Sequence, residues 1–186
     1  ANNTGSRGNG LEEHATASVI VDHLAPMLRA QGHDVTVIDY PYMDNGGDLA
    51  ATVRAINAGN YDISISVHCD SSDSPSSRGA HVCHHRTYHD DGTCTDSVQG
   101  KDLAEAIAGP LCKLLPGRAD HVQARPDRSC TPPKSSLYVL RKTNPPAVLV
   151  ECGFISNAGD TDLMKNNPAA IARAIAWGVN TYTQRK

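Results

Sequence analysis

AVLVECGFISNAGD, residues Ala147–Asp160, opens with the apolar run Ala147-Val148-Leu149-Val150, whose length and β-branched content are those of a buried strand. The run ends in Glu151, a carboxylate where the pattern would still accept an apolar residue. Gly153 then releases the backbone, and Asn157, Gly159 and Asp160 supply turn and helix-start chemistry. In α/β folds, groups at the carboxyl end of a buried strand border the crevice where ligands bind, so Glu151 is a general acid/base candidate with a raised proton affinity. A strand-end Glu paired with a Lys or Arg is the purely structural alternative.

The rest of the chain alternates in the same style. Tyr61–His68 places Ile63, Ile65 and Val67 on one phase and Asp62, Ser64, Ser66 and His68 on the other. Cys69 and Cys152 each follow a candidate site residue and are therefore predicted to point to the opposite face. His33–Tyr40, Gly79–His84 and Ser136–Leu140 also read as strands. Helical spacing runs through Leu11–Gln31, with Pro26 predicted to kink or divide it, and through Leu49–Ala58, Val98–Leu115 and Pro168–Tyr182. Glu12 and Glu13 lie in the first turn of the first helix, where the helix dipole favours anions. The chain, 186 residues long, is of one-domain size. The expected fold is α/β, a single three-layer domain with a mostly parallel twisted sheet flanked by helices.

A net charge of −3 and a single Trp and Phe argue against a nucleic-acid or membrane-surface partner. No apolar run approaches a bilayer span and no signal peptide opens the chain, so a soluble body is expected. Among the six Cys, Cys83 and Cys94 are the pair most readily joined. They flank a His- and Asp-rich stretch in which His81, Cys83, His84, His85, His89 and Cys94 are either a solvated loop or ligands of a structural metal, with spacing that matches no standard finger. Pro116–Lys134 reads as a long surface loop carrying Arg118, Arg125, Arg128 and Lys134.

A His and a carboxylate at strand mouths supply what a catalytic zinc needs: N and O ligands, and a nearby group to move a proton. Gly10–Val35 (GLEEHATASVIVDHLAPMLRAQGHDV), Ala55–Ser72 (AINAGNYDISISVHCDSS) and Leu137–Asp160 (LYVLRKTNPPAVLVECGFISNAGD) resemble, in consistent order, the three motif regions of zinc-dependent N-acetylmuramoyl-L-alanine amidases of the amidase-3 type. That group includes bacterial autolysins, sporulation amidases and phage endolysins. The resemblance implies one amidase catalytic domain over residues 1–186, with Glu13 and His68 as Zn2+ ligands and Glu151 as the catalytic carboxylate. The family's N-terminal strand and first metal ligand, a His in a Gly-His-Gly-like segment, would lie upstream of Ala1. The implied reaction is hydrolysis of the amide between N-acetylmuramic acid and the L-Ala of the stem peptide. A peptidoglycan-binding relative that has lost its metal, and a zinc peptidase cutting within the stem, stay open as alternatives. The arginine-bearing loop is either solvated or meets carboxylates of the stem peptide. The implied partner is peptidoglycan (muramyl peptide), met by a monomer that is secreted, wall-associated or released to the wall as a phage lysin.

Overall fold

Apolar alternation in the strands and apolar stripes on the helices converge on one layered body in the computed structural model, which describes residues 3–131 and 133–185. A short hairpin, β1 (Arg7–Gly8) and β2 (Leu11–Glu12), leads directly into α1 (Glu13–Ala30). There follow α2 (Asn45–Ala58), β3 (Ser64–Asp70), β4 (His81–His84), the hairpin β5 (Arg86–Tyr88) and β6 (Cys94–Asp96), and α3 (Val98–Leu114). The short strands β7 (Val122–Gln123), β8 (Pro126–Asp127) and β9 (Lys134–Ser135) precede α4 (Tyr138–Lys142), β10 (Ala147–Phe154), α5 (Ala158–Asn166) and α6 (Pro168–Thr183).

The central sheet has the order β3-β10-β4-β7. β10 is parallel to β3 and antiparallel to β4, and β4 is parallel to β7, so the sheet is mixed, with parallel pairing at both outer ladders. Pleating sends Val148, Val150 and Cys152 to one face, where they meet Val67, Cys69 and the apolar stripes of α1, α3 and α6. Ile20, Leu103, Ile107, Leu111, Ile171 and Ile175 are fully buried there, each stabilising the packing by about 2 kcal/mol relative to exposure. Ala147, Leu149 and Cys83 face the other way, against Val53 and Ile56 of α2 and Val139 and Leu140 of α4. These are the three expected layers. Cys69 and Cys152 lie in the larger core, on the opposite phase from His68 and Glu151, as the alternation predicts.

Four local expectations are corrected. α1 is not divided at Pro26: it is one helix, with the buried stripe of Ile20, Leu24 and Leu28 spanning both sides of the proline. His33–Tyr40 forms no strand: Val35 and Ile38 pack on the two cores, but the segment pairs with no described strand, and the Val35 carbonyl instead accepts a bond from Arg29 Nη2 at 2.7 Å. Alternation predicts faces and does not supply a ladder partner. Ser136–Leu140, expected to be a strand, instead leads into the short helix Tyr138–Lys142 with Val139 and Leu140 buried; so short a run carries no decisive periodicity. All six cysteines are free, with Cys83 buried on β4 and Cys94 exposed on β6, so the Cys83–Cys94 bridge is absent. The same placement removes His81, Cys83 and His84 from any solvated loop, since β4 is buried throughout.

Candidate active site

The polar phase of β3, Ser64, Ser66, His68 and Asp70, lies on the sheet face that also carries Leu149 and Glu151. Register sets Glu151 opposite His68 on one side and opposite His81 on the other, so three titratable residues form a row across three strands. Just beyond Glu151 the ladder slips, and Phe154 rather than Gly153 comes opposite Asp70. The slip is built on Gly153, whose φ of +96° excludes an ordinary side chain, and whose Cβ would lie 2.9 Å from Asp160 Oδ2. It returns Phe154 to the face of Glu151, with its ring centroid 6.4 Å from that of His81. Asn157 caps α5 by accepting the Gly159 and Asp160 N–H groups, which brings Asp160 under the bulge. The buried Asp160 Oδ2 then accepts the N–H groups of Phe154 and Gly79, both at 2.8 Å, and ties the bulge to the segment entering β4.

Glu13, the first residue of α1, reaches the end of this row. Its Oε1 lies 2.9 Å from His68 Nδ1, while the other oxygen, Oε2, accepts the Ser6 N–H at 2.9 Å. The loop can approach so closely because residue 5 is glycine: at Gly5 φ is +65°, and a Cβ would lie 2.5 Å from Glu13 Oε2. Burial pushes the Glu13 carboxyl up, but the bonds from His68 and Ser6 outweigh it and hold the group below the usual carboxylate range. For His68, burial pushes down, and the bond to Glu13 with the charges of Glu151 and Glu13 outweighs it, leaving the ring above the usual imidazole range. The ring and the carboxylate form a close pair, with Ser66 Oγ 2.9 Å from the other ring nitrogen, Nε2.

Glu151 is 5% exposed. Burial pushes its carboxyl up; His68 and Arg125 pull it back, Asp70 and Glu13 push it further, and the result is about 7. Its Oε1 lies 3.6 Å from Arg125 Nη1, and its Oε2 is buried with no hydrogen-bond partner among the described residues. Arg125 Nη2 also donates to Asp70 Oδ2 at 3.0 Å and to His81 Nε2 at 2.7 Å. Burial, followed by the charges of Arg125 and Arg118, pushes His81 down to about 4, so the ring is neutral at neutral pH and accepts through Nε2.

The three residues singled out from sequence, Glu13, His68 and Glu151, thus converge on one sheet end. Asp70, His81, Arg125 and Phe154 join them there without having been anticipated as a group. Asp70 carries a usable signal, since it shares the phase of His68 two residues on. His81 and Arg125 do not, because the antiparallel insertion of β4 and the return of the loop are long-range events.

The profile of the N-acetylmuramoyl-L-alanine amidase family matches residues 1–181. The chain belongs to the N-acetylmuramoyl-L-alanine amidase family. It is 28% identical to the N-acetylmuramoyl-L-alanine amidase LytC of Bacillus subtilis (strain 168), an alignment covering 96% of this chain and 33% of LytC. The chain therefore spans about a third of that relative's length. Among solved structures it resembles the catalytic domain of the CD27L endolysin targeting Clostridia Difficile, with a TM-score of 0.75, 26% identity, and coverage of 96% of this chain and 88% of the other. The amidase Ami1 of Mycobacterium smegmatis shares the fold at a TM-score of 0.79 and 21% identity, over 98% of this chain and 82% of Ami1.

The amidase family is metal-dependent, and two places in the site have the chemistry of a cation position. Asp70, His81 and Glu151 offer donor atoms all within 4.8 Å of one another. That position is already served by a cation, because the Arg125 guanidinium bonds Asp70 and His81 and borders Glu151. The Glu13–His68 pair is different. An imidazole nitrogen and a carboxylate oxygen are ordinary zinc donors, and the proton they share is one that a divalent ion displaces on binding. Beside them, Glu151 Oε2 is an unpartnered buried acceptor, the group needed to take a proton from water. Glu13 and His68 thus present one oxygen and one nitrogen donor side by side, with Glu151 in register next to His68.

Proposed function

We propose that this chain is a peptidoglycan hydrolase that cleaves the amide between N-acetylmuramic acid and the L-Ala of the stem peptide, with Glu13 and His68 holding a zinc ion and Glu151 moving the proton. Family membership supports the reaction class. The observation that carries the assignment of roles is Glu151 itself, a buried carboxyl poised near 7 in register beside the Glu13–His68 pair. A group poised near neutrality can both accept and return a proton at working pH. Bound zinc supplies a Lewis acid that activates water and polarises the scissile carbonyl.

The protein's own groups do the rest. Glu151 Oε2 takes a proton as the water oxygen bonds to the lactyl carbonyl carbon. The same carboxyl then gives the proton to the amine nitrogen as the C–N bond breaks, leaving an acid on the muramic acid and a free amine on L-Ala. Arg125, 3.6 Å from Oε1, is the cation beside the other oxygen of the carboxyl, leaving Oε2 without a competing partner among the described residues. The bulge at Gly153, fastened by Asp160, closes the strand end beyond Glu151.

Digestion of purified peptidoglycan tests the reading. Mass spectrometry is expected to find intact stem peptides with a free L-Ala amine. Fragments cut inside the stem would identify a peptidase instead, and wall binding without release would identify a non-catalytic relative. Elemental analysis is expected to return zinc. No described helix is long and apolar enough to cross a membrane; action at the wall as a secreted or released protein follows from where the proposed substrate lies, the proposed state is a monomer, and fractionation and light scattering test the two.

A further inference from the structure

Two arginines of the segment between α3 and β8 approach the site face, and the mechanism above uses only Arg125. The other is Arg118. Its Cζ lies 5.7 Å from the centroid of Phe154, the ring that the bulge turns toward Glu151's face and that also meets His81. The base of this segment is firmly held: the Ala80 N–H donates to the Leu115 carbonyl at 2.9 Å, and the neighbouring Gly79 N–H is bound by Asp160. Arg118 Nε is buried and has no hydrogen-bond partner among the described residues. Its ion pair is with Asp120, two residues further on the same loop, at 3.2 Å and with Asp120 62% exposed. A solvent-facing pair of that kind is weak and readily exchanged.

The surrounding charges sharpen the contrast between the two arginines. Asp70 neutralises Arg125, which also spends its donors on His81. Among the described residues Arg118 is paired only with the exposed Asp120, and it lies against an aromatic ring. The Phe154 ring that Arg118 covers lies on the face of Glu151, so a group held by Arg118 is on the same side of the sheet as that carboxyl.

Resting on the amidase reading, we infer that Arg118, laid on Phe154 beside the Asp70–His81–Arg125 cluster, receives a free carboxylate of the stem peptide. It thereby favours stems whose second residue carries a carboxylate over those in which that group is a carboxamide. A guanidinium fork matches a carboxylate and offers a carboxamide only a neutral acceptor.

The test uses the zinc-loaded protein and two muropeptides identical except for carboxylate or carboxamide at the second stem residue. The wild type is expected to prefer the carboxylate form by about tenfold or more in kcat/KM, with the preference falling as salt rises. Arg118→Gln should bring the ratio close to one, and Arg118→Lys should restore part of it. Asp120→Asn, which removes the competing carboxylate, should widen the ratio and provides a readout even if the Arg118 variants fold poorly. Equal kcat/KM for the two substrates in the wild type, or an undiminished ratio in Arg118→Gln, would overturn the proposal. If neither muropeptide is cleaved, the amidase reading fails separately, and calorimetric affinities for the same two molecules still decide the carboxylate preference, equal affinities refuting it.

Discussion

Replacing Glu151 by Gln should remove catalysis and, in the metal-free protein, raise stability. The carboxyl sits at about 7 in the folded chain against 4.5 for an unperturbed Glu, because it is buried. The folded state therefore holds the proton more tightly than the unfolded state, and its stability falls as pH rises from about 4.5 to about 7 and stays lowered above. A gap of about 2.5 pH units at 1.36 kcal/mol each corresponds to a loss on the order of 3 kcal/mol. The side chain is only 7% exposed, so solvent screening does not reduce this much. The charges of His68 and Arg125 are already contained in the shift. A glutamine side chain at this position is nearly isosteric, does not ionise and avoids the loss. For a chain of 186 residues, about 3 kcal/mol is about 6–12 °C in Tm. Thermal melts of both proteins in chelator should therefore nearly coincide at pH 4.5 and separate by pH 8, with Glu151→Gln the more stable. Turnover should be lost throughout, since an amide cannot accept the water's proton. A variant that melts no higher than wild type at pH 8 would refute the account of Glu151 as a carboxyl held at a strained, functional position, and full activity would remove it from the mechanism.

His68→Ala should lower zinc content as well as rate, and destabilise the metal-free protein by about 1–3 kcal/mol because Glu13 loses its partner; unchanged zinc by elemental analysis would mean that His68 is not a ligand. Zinc loading should release a proton, since the His68 ring lies above the usual imidazole range and must lose its proton to bind. Affinity should accordingly fall as pH drops through the raised His68 value, and calorimetry in buffers of different ionisation enthalpy should detect the released proton; a buffer-independent heat would refute it. Asp160→Ala leaves the Phe154 and Gly79 N–H groups without their acceptor, at about 1–3 kcal/mol each. Urea unfolding should show a loss of about 2–6 kcal/mol, and a loss under 1 kcal/mol would mean that the bulge is held by other contacts.

Several features of this protein are written locally. The apolar run before Glu151 and the alternation before His68 state where the strands lie and which phase of each is polar. The helical stripes of Ile20, Leu24 and Leu28, and of Ile171, Ile175 and Val179, state which faces are buried. These signals survive because side-chain direction repeats with the backbone's own period, which needs no knowledge of neighbours. They suffice to put Glu151 and His68 on the side of the sheet away from Cys69 and Cys152, and the family motifs bring Glu13 to them. Local signals fail where a neighbour decides: His33–Tyr40 alternates yet finds no ladder among the described strands, and Ser136–Leu140 is too short to declare itself.

The electrostatics of the site belong wholly to the tertiary structure. β4 enters antiparallel beside β10, and this sets His81 against Glu151; a parallel entry would have brought up a different residue. Arg125 and Arg118 arrive from a loop whose sequence left it open whether they stay solvated or reach the site. The affinity of Glu151 for its proton is then the sum of burial and of four charged groups drawn from α1, β3 and the returning loop. Such a sum depends on distances between elements far apart in the chain, and only packing sets those distances.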